Sequence, residues 1–260
     1  MTPTLWDMHV HLDFMRDMAS VAADAATQGL GLFAVTVTPE GYGRARRELA
    51  GASNVRVGVG IHPWWAADGR CGKVELTETV THVRETRYVG EVGLDLSPKH
   101  VPEGSLEAQL AAFEAIAGAA AETSGPTGPK VLSIHSVRAG GLALDVLERT
   151  NALAACNCIF HWFSGTSDEL HRAVKAGCWF SINEMMLRTR RGREYARQLP
   201  ADRLLLETDL PPGENVPLAA ADIVASLERT LEQLGALRGT DLRTIVSENA
   251  ERLMDEGAWT

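Results

Sequence analysis

Histidines and carboxylates that could bind metal ions recur along this sequence, beginning in the stretch Trp6–Leu12. This stretch has the pattern of a buried β-strand that ends in His9-x-His11. Alternate side chains of a strand point to the same face, so the two imidazoles lie side by side, with Asp7 one step deeper. Neutral imidazole is a favoured ligand of zinc and other transition metals. The two histidines therefore predict a metal site if other segments supply further ligands. Because Asp7 lies deeper than the two imidazoles, it is expected to support them rather than to bind the metal.

Further imidazoles and carboxylates stand where other apolar segments end. They are Glu91 in Val89–Asp95, His135 in Ser133–Ser136, His161 in Ile159–Trp162, and Glu207 and Asp209 in Leu204–Pro211. Zinc typically takes three protein ligands and a water molecule, and the candidate ligands exceed the need of one ion. Two divalent ions that share a bridging carboxylate account better for this number of ligands. The candidate ligands are His9, His11, Glu91, His135, His161 and Asp209.

The segments that carry these residues belong to a regular alternation of predicted strands and helices. Parallel strands joined by crossover helices produce this alternation. Eight such units predict an α/β fold, a (β/α)8 TIM barrel, as a single domain over residues 1–260, in which the C-terminal ends of the strands converge on one mouth. A doubly wound open sheet is the alternative, but its first strand would precede a glycine-rich loop rather than His-Val-His-Leu-Asp. The predicted strands are Thr4–His9, Leu30–Val37, Val55–Ile61, Arg87–Val92, Lys130–His135, Ala155–His161, Gly177–Ile182 and Arg203–Thr208.

The composition limits the location and the partners of the protein. No apolar run approaches the length of a membrane span, and the polar stretch Asp7–Asp13 is unlike a signal peptide. The four cysteines do not suggest a disulfide framework, and alternation along the sixth strand turns Cys156 and Cys158 towards the helical layer. We therefore expect a cytoplasmic protein without a membrane partner. A net charge of −9 argues against a large basic surface for nucleic acid, although bound cations would offset charge locally.

With the candidate ligands in this order, the sequence resembles the TatD family of metal-dependent hydrolases, within the amidohydrolase-like TIM barrels. The resemblance covers nearly the whole chain, and the matching pieces stand in family order. They are D-M-H-V-H-L-D (7–13), G-I-H-P-W (60–64), V-G-E-V-G-L-D (89–95), Q-L-A-A-F (109–113), S-I-H-S-V-R-A (133–139), H-W-F-S-G (161–165), L-L-L-E-T-D-L-P (204–211) and S-E-N-A-E-R-L (247–253).

The resemblance implies a divalent-metal phosphodiesterase, often a DNase that works from the 3′ end of a strand. One ion (Mg, Mn or Zn) would be bound by His9 and His11, and the second by His135 and His161. Glu91 would bridge the two ions, and Asp209 would bind the first ion and act as general base towards the attacking water. Two further positions match the family near the site: His62 as a phosphate contact and Glu207 as support behind the ligands.

Two departures from the family pattern concern the substrate. An acidic segment, Leu210–Asn215, replaces a basic loop, and Arg138, a candidate substrate contact, is displaced by one residue. Both departures leave the ligands intact and leave the substrate open between DNA and another nucleotide-like ester. The pattern is similar to the shorter branch of the family, which includes QatD-type proteins of bacterial defence operons. That similarity implies anti-phage defence and protein partners from the same operon, and the oligomeric state stays open.

Basic and aromatic residues near the predicted mouth are candidates for substrate binding. Arginines cluster in Arg188–Arg193, where Arg190 and Arg191 follow the seventh strand, and loops there often bind phosphate. A solvated helix start is the alternative for this cluster. Trp64, with Trp65 and Trp162, could stack on bases, and packing within the fold is the alternative for each ring.

Two other functions remain compatible with this sequence. The first is an amidohydrolase-type enzyme that cleaves a small amide or ester at the same metal site. Such enzymes usually carry a lysine on the fourth strand, where Glu91 stands here. The second is a non-catalytic scaffold subunit of a multi-protein complex, which would have no need for clustered histidines and carboxylates. The metal-dependent phosphodiesterase is the function that the sequence favours.

Overall fold

A computed structural model describes residues 3–125, 128–214 and 216–255. Eight parallel strands form a ladder of three, β1-β2-β3, and a ladder of five, β4 to β8 in chain order. Apolar segments of three to eight residues produce them, as expected of buried parallel strands. The strands are β1 (Leu5–Val10), β2 (Leu30–Val35), β3 (Val55–Gly58), β4 (Tyr88–Asp95), β5 (Val131–Val137), β6 (Asn157–His161), β7 (Trp179–Ile182) and β8 (Leu204–Leu206).

The two ladders meet at both edges through fewer hydrogen bonds. An isolated bridge, Val59 to Val89, joins the end of β3 to β4. On the other side, the amide of Asp209, beyond β8, donates to the carbonyl of His9 over 2.9 Å. The predicted α/β fold with eight parallel strands is therefore confirmed, and the barrel is not closed by a continuous ladder. The prediction of one domain over residues 1–260 stays a prediction.

Helices connect successive strands and cover the outside of the sheets. The predicted alternation of helices with strands is present, and three of the helices, α3, α7 and α9, have only four or five residues. The helices are α1 (Met18–Thr27), α2 (Pro39–Glu48), α3 (Pro63–Ala67), α4 (Lys73–Glu85), α5 (Leu106–Glu122), α6 (Gly140–Arg149), α7 (Ala152–Ala155), α8 (Ser167–Lys175), α9 (Glu184–Leu187), α10 (Arg190–Gln198), α11 (Ala220–Arg238) and α12 (Arg243–Met254), with 3-10 turns at Leu12–Phe14 and Ala201–Arg203.

Side chains at the N-termini of helices fix where several of them begin. Thr38 and Thr189 accept hydrogen bonds from the amides three residues ahead, at the starts of α2 and α10. Thr166 and Glu169 form a reciprocal capping box at α8. These bonds satisfy amides that have no partner within the helix. None of the helices in the described ranges combines the length and the apolar composition needed to cross a membrane.

Two apolar clusters make up the core. The smaller cluster draws side chains from seven of the strands and from α12, so it fills the space that the strands surround; its members include Trp6, Met8, Val35, Ile159 and Leu205. The larger cluster lies between strands and helices and contains Cys158, with Cys156 packed against it. The predicted burial in the helical layer is confirmed for Cys158, whereas Cys156 is partly buried against the same layer. His161 lies one strand step above Ile159.

Candidate metal centre

The predicted ligands converge above the interior cluster, at the C-terminal ends of the strands. Glu91 on β4 stands at the centre and is 1% exposed. Its carboxylate divides its two oxygens between two groups of histidines. Oε2 lies 3.4 Å from Nε2 of His9 and 3.4 Å from Nε2 of His11. Oε2 of Glu91 therefore faces the histidine pair at the end of β1.

The second oxygen of Glu91 faces the histidines of β5 and β6. Oε1 lies 2.7 Å from Nδ1 of His135 and 2.9 Å from Nε2 of His161. The two ring nitrogens are 3.2 Å from each other. Nε2 of His62, from the segment before α3, approaches the same oxygen to 3.4 Å. A single carboxylate thus contacts His9 and His11 through one oxygen and His135, His161 and His62 through the other. The rings of His9 and His161 also stack on each other, with centroids 4.0 Å apart.

Asp209 closes the β1 side of this cluster. Its Oδ1 lies 3.4 Å from Nε2 of His11 and 3.7 Å from Nε2 of His9. The residue has a φ of +59°, a left-handed conformation that is uncommon for a non-glycine residue and is often found at functional sites. The segment after β8 is held against the end of β1, because the amide of His11 donates to the carbonyl of Leu210, the residue after Asp209, over 2.8 Å. This bond holds the backbone of Asp209 in that conformation.

Polar groups stand behind the outer nitrogens of three histidines, and two of these nitrogens are within hydrogen-bond distance of them. Nδ1 of His9 is 2.7 Å from the hydroxyl of Ser133, and Nε2 of His135 is 3.2 Å from Oδ2 of Asp95. Nδ1 of His161 is 3.7 Å from Oε1 of Glu207, which is itself held by Asn183 and Ser181. Partners of this kind orient metal-binding imidazoles and fix which nitrogen is free to coordinate.

Asp7 lies beneath the cluster and connects β1 to the loop after β8. It is fully buried, its Oδ1 accepts the amides of His9 and Thr208, and its Oδ2 accepts the hydroxyl of Thr208. Burial raises its pKa to about 7, although these hydrogen bonds oppose the rise. The β1 register shifts between Asp7 and Val10, so the simple alternation assumed from the sequence is interrupted there. The side chain therefore supports the backbone at His9 and Thr208.

The charges in this cluster suit a cation. Burial acts to raise the pKa of Glu91, but the surrounding imidazoles, with His62, His9 and His161 first among them, outweigh it and hold the pKa well below its usual range. Burial acts to lower the pKa of His11, but the hydrogen bond to Asp209 and the charges of Glu91 and Asp209 raise it to about 9. Without a metal, protons therefore occupy positions that a divalent cation would replace.

His9 provides the clearest test of whether these residues fit a metal ion. Its Nε2 is buried and has no hydrogen-bond partner among the described residues, although Nδ1 is paired with Ser133. Burial, with the charge of His161, lowers the pKa of His9, so the ring is neutral. When Nδ1 carries the proton and donates to Ser133, the lone pair of Nε2 is free to coordinate. Ligand atoms held about 2.0–2.2 Å from one zinc ion lie roughly 3.3–3.6 Å apart, as the nitrogens and oxygens around His9 do. The residues fit a metal ion.

A cleft of about 740 Å³ opens above the cluster. Trp64, Trp65 and Trp162 all line it, as do His62 and Asp209. The predicted arginines do not: Arg138 is exposed beyond β5, and Arg190 and Arg191 are exposed at the start of α10. Their roles in substrate binding stay predictions, without support from their positions.

The sequence interpretation missed several supporting residues of the site. Asp95, Ser133 and Thr208 were not assigned a role, although strand alternation places Ser133 on the face of His135 and Asp95 on the face of Glu91. That parity signal could have found them. His100, whose Nδ1 lies 3.2 Å from Oδ2 of Asp95, belongs to an irregular loop and had no such signal.

A parallel α/β fold with histidines and carboxylates gathered at the carboxyl ends of its strands defines a metal-dependent hydrolase of the TIM-barrel type. The chain belongs to the family of TatD-related DNases, whose family model matches residues 6–255. The resemblance seen in the sequence is therefore confirmed.

Relatives and solved structures agree with this assignment. The chain is 27% identical, over 264 residues, to the 3′-5′ ssDNA/RNA exonuclease TatD of Citrobacter rodentium (96% of this chain, 97% of the relative). It is 30% identical, over 206 residues, to the corresponding exonuclease of Pantoea vagans (75% and 76%). The crystal structure of YjjV, a TatD homolog from Escherichia coli, superposes with a TM-score of 0.78 at 21% identity (97% and 98%) and shows the same fold.

Proposed function

We propose that this protein is a divalent-metal-dependent phosphodiesterase that removes nucleotides from the 3′ end of single-stranded DNA or RNA. The observation that carries the proposal is the division of Glu91 between two groups of histidines. A carboxylate with one oxygen towards each group is suited to bridge two ions. The ions would be held by His9, His11, Glu91, His135, His161 and Asp209, and their identity is open among Mg, Mn and Zn.

Bound divalent ions would lower the pKa of a coordinated water towards neutrality and offset charge on the phosphate. Asp209 is the proposed general base. Its side chain is 25% exposed and lines the cleft, so it meets entering water and substrate. Burial acts to raise its pKa, but the hydrogen bond from His11 and the nearby imidazoles of His9 and His161 lower it. The carboxylate therefore stays ionised and able to accept a proton.

His62 is proposed to donate a hydrogen bond to the substrate phosphate. Its Nδ1 accepts the amide of Trp64 over 3.1 Å. Burial lowers the pKa of His62 to about 4, so the ring is neutral and carries its proton on Nε2, which faces the cluster. A neutral donor at that position binds a phosphate oxygen without repelling the cations beside it.

The experiment combines metal analysis with a nuclease assay. Wild-type protein loaded with Mg, Mn or Zn is expected to shorten 5′-labelled single-stranded DNA or RNA stepwise from the 3′ end. Glu91→Gln should lower the bound metal per chain and abolish shortening, whereas Glu232→Gln, an exposed glutamate on α11, should change neither. Absence of cleavage by the wild type with every metal would refute the proposal, as would full metal-dependent turnover in Glu91→Gln.

A second candidate is the hydrolysis of a small amide or ester at the same cluster, which the apolar walls of the cleft favour. If the protein hydrolyses such amides or esters but leaves DNA and RNA uncut, this second function is the correct one. A scaffold role is opposed by the cost of burying this many ionisable side chains. A cytoplasmic location, a role in anti-phage defence and partners from the same operon stay predictions from the sequence.

A further inference from the structure

The walls of the cleft above Glu91 are apolar and aromatic, unlike the charged floor. They include Phe14, Trp64, Trp65, Trp162 and Met185, and the side chain of Met185 is 43% exposed. Among the described residues that line the cleft there is no arginine or lysine. The cleft volume of about 740 Å³ falls within the range of about 300–1,000 Å³ for small-molecule sites. The cleft is shaped for one compact, partly aromatic group.

The neighbouring groove does not supply a positive surface either. It adjoins the cleft at Phe14 and Trp65 and contains Arg16 and Arg44. Those two cations stand among three carboxylates, Asp13, Glu40 and Glu214, and the guanidinium of Arg44 already donates to the backbone carbonyl of Asp13. With a net charge of −9 on the whole chain, phosphates beyond the cleft meet little cationic attraction.

Trp64 is held in a fixed orientation at the cleft wall. Its Nε1–H donates to Oδ2 of the buried Asp95 over 2.7 Å. Its ring packs edge-on against His62, with centroids 4.8 Å apart, and lies 4.7 Å from the ring of His100. An aromatic ring fixed by a buried hydrogen bond loses little freedom when a base stacks on it.

The adjacent Trp65 is nearly parallel to Trp64, with an interplanar angle of 2°. The guanidinium of Arg70 lies over Trp65, 3.9 Å from the ring centroid, and is itself paired with Asp68. A cation of the protein therefore already stacks on Trp65. Both rings pack edge-on against His62, with centroids 4.8 Å and 5.3 Å away, but Trp64 is the one that donates to Asp95 and lies 6.5 Å from the ring of His135 in the cluster.

We propose that one unpaired terminal base, stacked on Trp64, supplies most of the substrate-binding energy, and that the rest of the polyanion stays outside the cleft. The substrate class is then a phosphodiester with a single flexible base beside the scissile bond, in which strand length adds nothing. This inference rests on the proposed phosphodiesterase function. Turnover should be as efficient on a dinucleotide as on a long single strand and should depend little on salt.

The test compares kcat/KM of the metal-loaded protein on a dinucleotide, a pentanucleotide and a 20-mer of the same sequence type, at several salt concentrations. We expect the kcat/KM values of the three substrates, counted per 3′ end, to agree within about threefold. The slope of log(kcat/KM) against log[salt] should be no steeper than about −1, which corresponds to one or two phosphate contacts. A 20-mer favoured about tenfold or more, with a slope steeper than about −2, would overturn the inference.

Variants of Trp64 test the stacking surface itself. Trp64→Ala should lower kcat/KM on the dinucleotide roughly 5- to 150-fold, and leave a dinucleotide without its 3′ base unaffected. Trp64→Phe keeps a ring and should lose less, and Val74→Ala, 75% exposed on α4, is the matched surface control. Equal loss on the abasic substrate, or no loss on either, contradicts the role of stacking. No cleavage of any nucleotide or of bis-p-nitrophenyl phosphate by the wild type refutes the phosphodiesterase function itself.

Discussion

Replacing Asp95 by asparagine tests whether the cluster depends on the groups behind its ligands. Oδ2 of Asp95 accepts hydrogen bonds from Trp64 and from the rings of His135 and His100, and Oδ1 accepts the amide of Ser97 over 2.7 Å. An asparagine has the same shape but replaces one acceptor with an NH2 group, which cannot accept. Every orientation of the amide therefore sets a donor against a donor.

The least costly orientation places the nitrogen at Oδ1, where only the bond from Ser97 is lost. A hydrogen bond to a charged group contributes about 1.5–3 kcal/mol, so we expect Asp95→Asn to lower the free energy of unfolding by that amount. His135 also loses its anionic partner, and loss of such a partner typically weakens metal binding about 10- to 100-fold. The loss of metal affinity distinguishes the two roles, because replacing an aspartate that only stabilises the fold would not weaken metal binding.

The assay is a competition between the protein and a chelator for the metal, with urea unfolding of the metal-free protein alongside. Asp68→Asn provides the control, since that carboxylate pairs with Arg70 on the surface, where an ion pair contributes about 0–1 kcal/mol. Metal affinity within about twofold of wild type in Asp95→Asn would refute the reasoning, even if the variant were less stable. Reduced stability with unchanged affinity would assign Asp95 to the fold alone.

Other perturbations have equally definite outcomes. Asp209→Asn should lower kcat about 10²- to 10⁴-fold in the nuclease assay, because it removes the proposed base, and unchanged turnover would contradict that role. Removing the metal with a chelator should lower Tm by roughly 5–10 °C if the metal was present at about 100 times its Kd, which calorimetry measures. Glu169 accepts the amides of Thr166 and Gly141, and these bonds outweigh burial and lower its pKa. Its folded pKa is below the unfolded value of about 4.5, so its contribution is present above pH 4.5 and disappears as the pH falls through the folded pKa. Urea titrations at several pH values should show that dependence weakened in Glu169→Gln.

The sequence predicted which side chains gather at the strand ends, because strand ends and side-chain parity are local properties. A histidine that ends an apolar segment must lie near the mouth of a parallel barrel, whichever strands neighbour it. Parity failed at β1, where the register shift between Asp7 and Val10 is set by pairing with β2. The sequence also could not predict that each oxygen of Glu91 faces a different group of histidines, since this arrangement depends on how four strands meet in space.

The arginine cluster shows a different limit of sequence interpretation. It was placed directly after β7, but the short helix α9 lies between them. Asn183 begins α9 by accepting the amide of Met186 over 2.8 Å, and Thr189 then begins α10. Two helix starts within seven residues turn the chain twice, so Met185 lines the cleft and the arginines become exposed. A four-residue helix has too few residues to show a period, and its capping side chains were the only signal.

Two glycines near Glu91 allow β4 to pack closely against the segments on either side of it. A Cβ on Gly60 would lie 2.2 Å from the carbonyl oxygen of Glu91, and a Cβ on Gly93 would lie 2.1 Å from that of His135. Neither neighbour can move away, because both are backbone atoms of strands that carry ligands. Any larger residue at Gly60 or Gly93 would therefore push β4 away from an adjacent segment. The displacement would move the carboxylate that faces both groups of histidines, so these glycines set the spacing between Glu91 and the histidines.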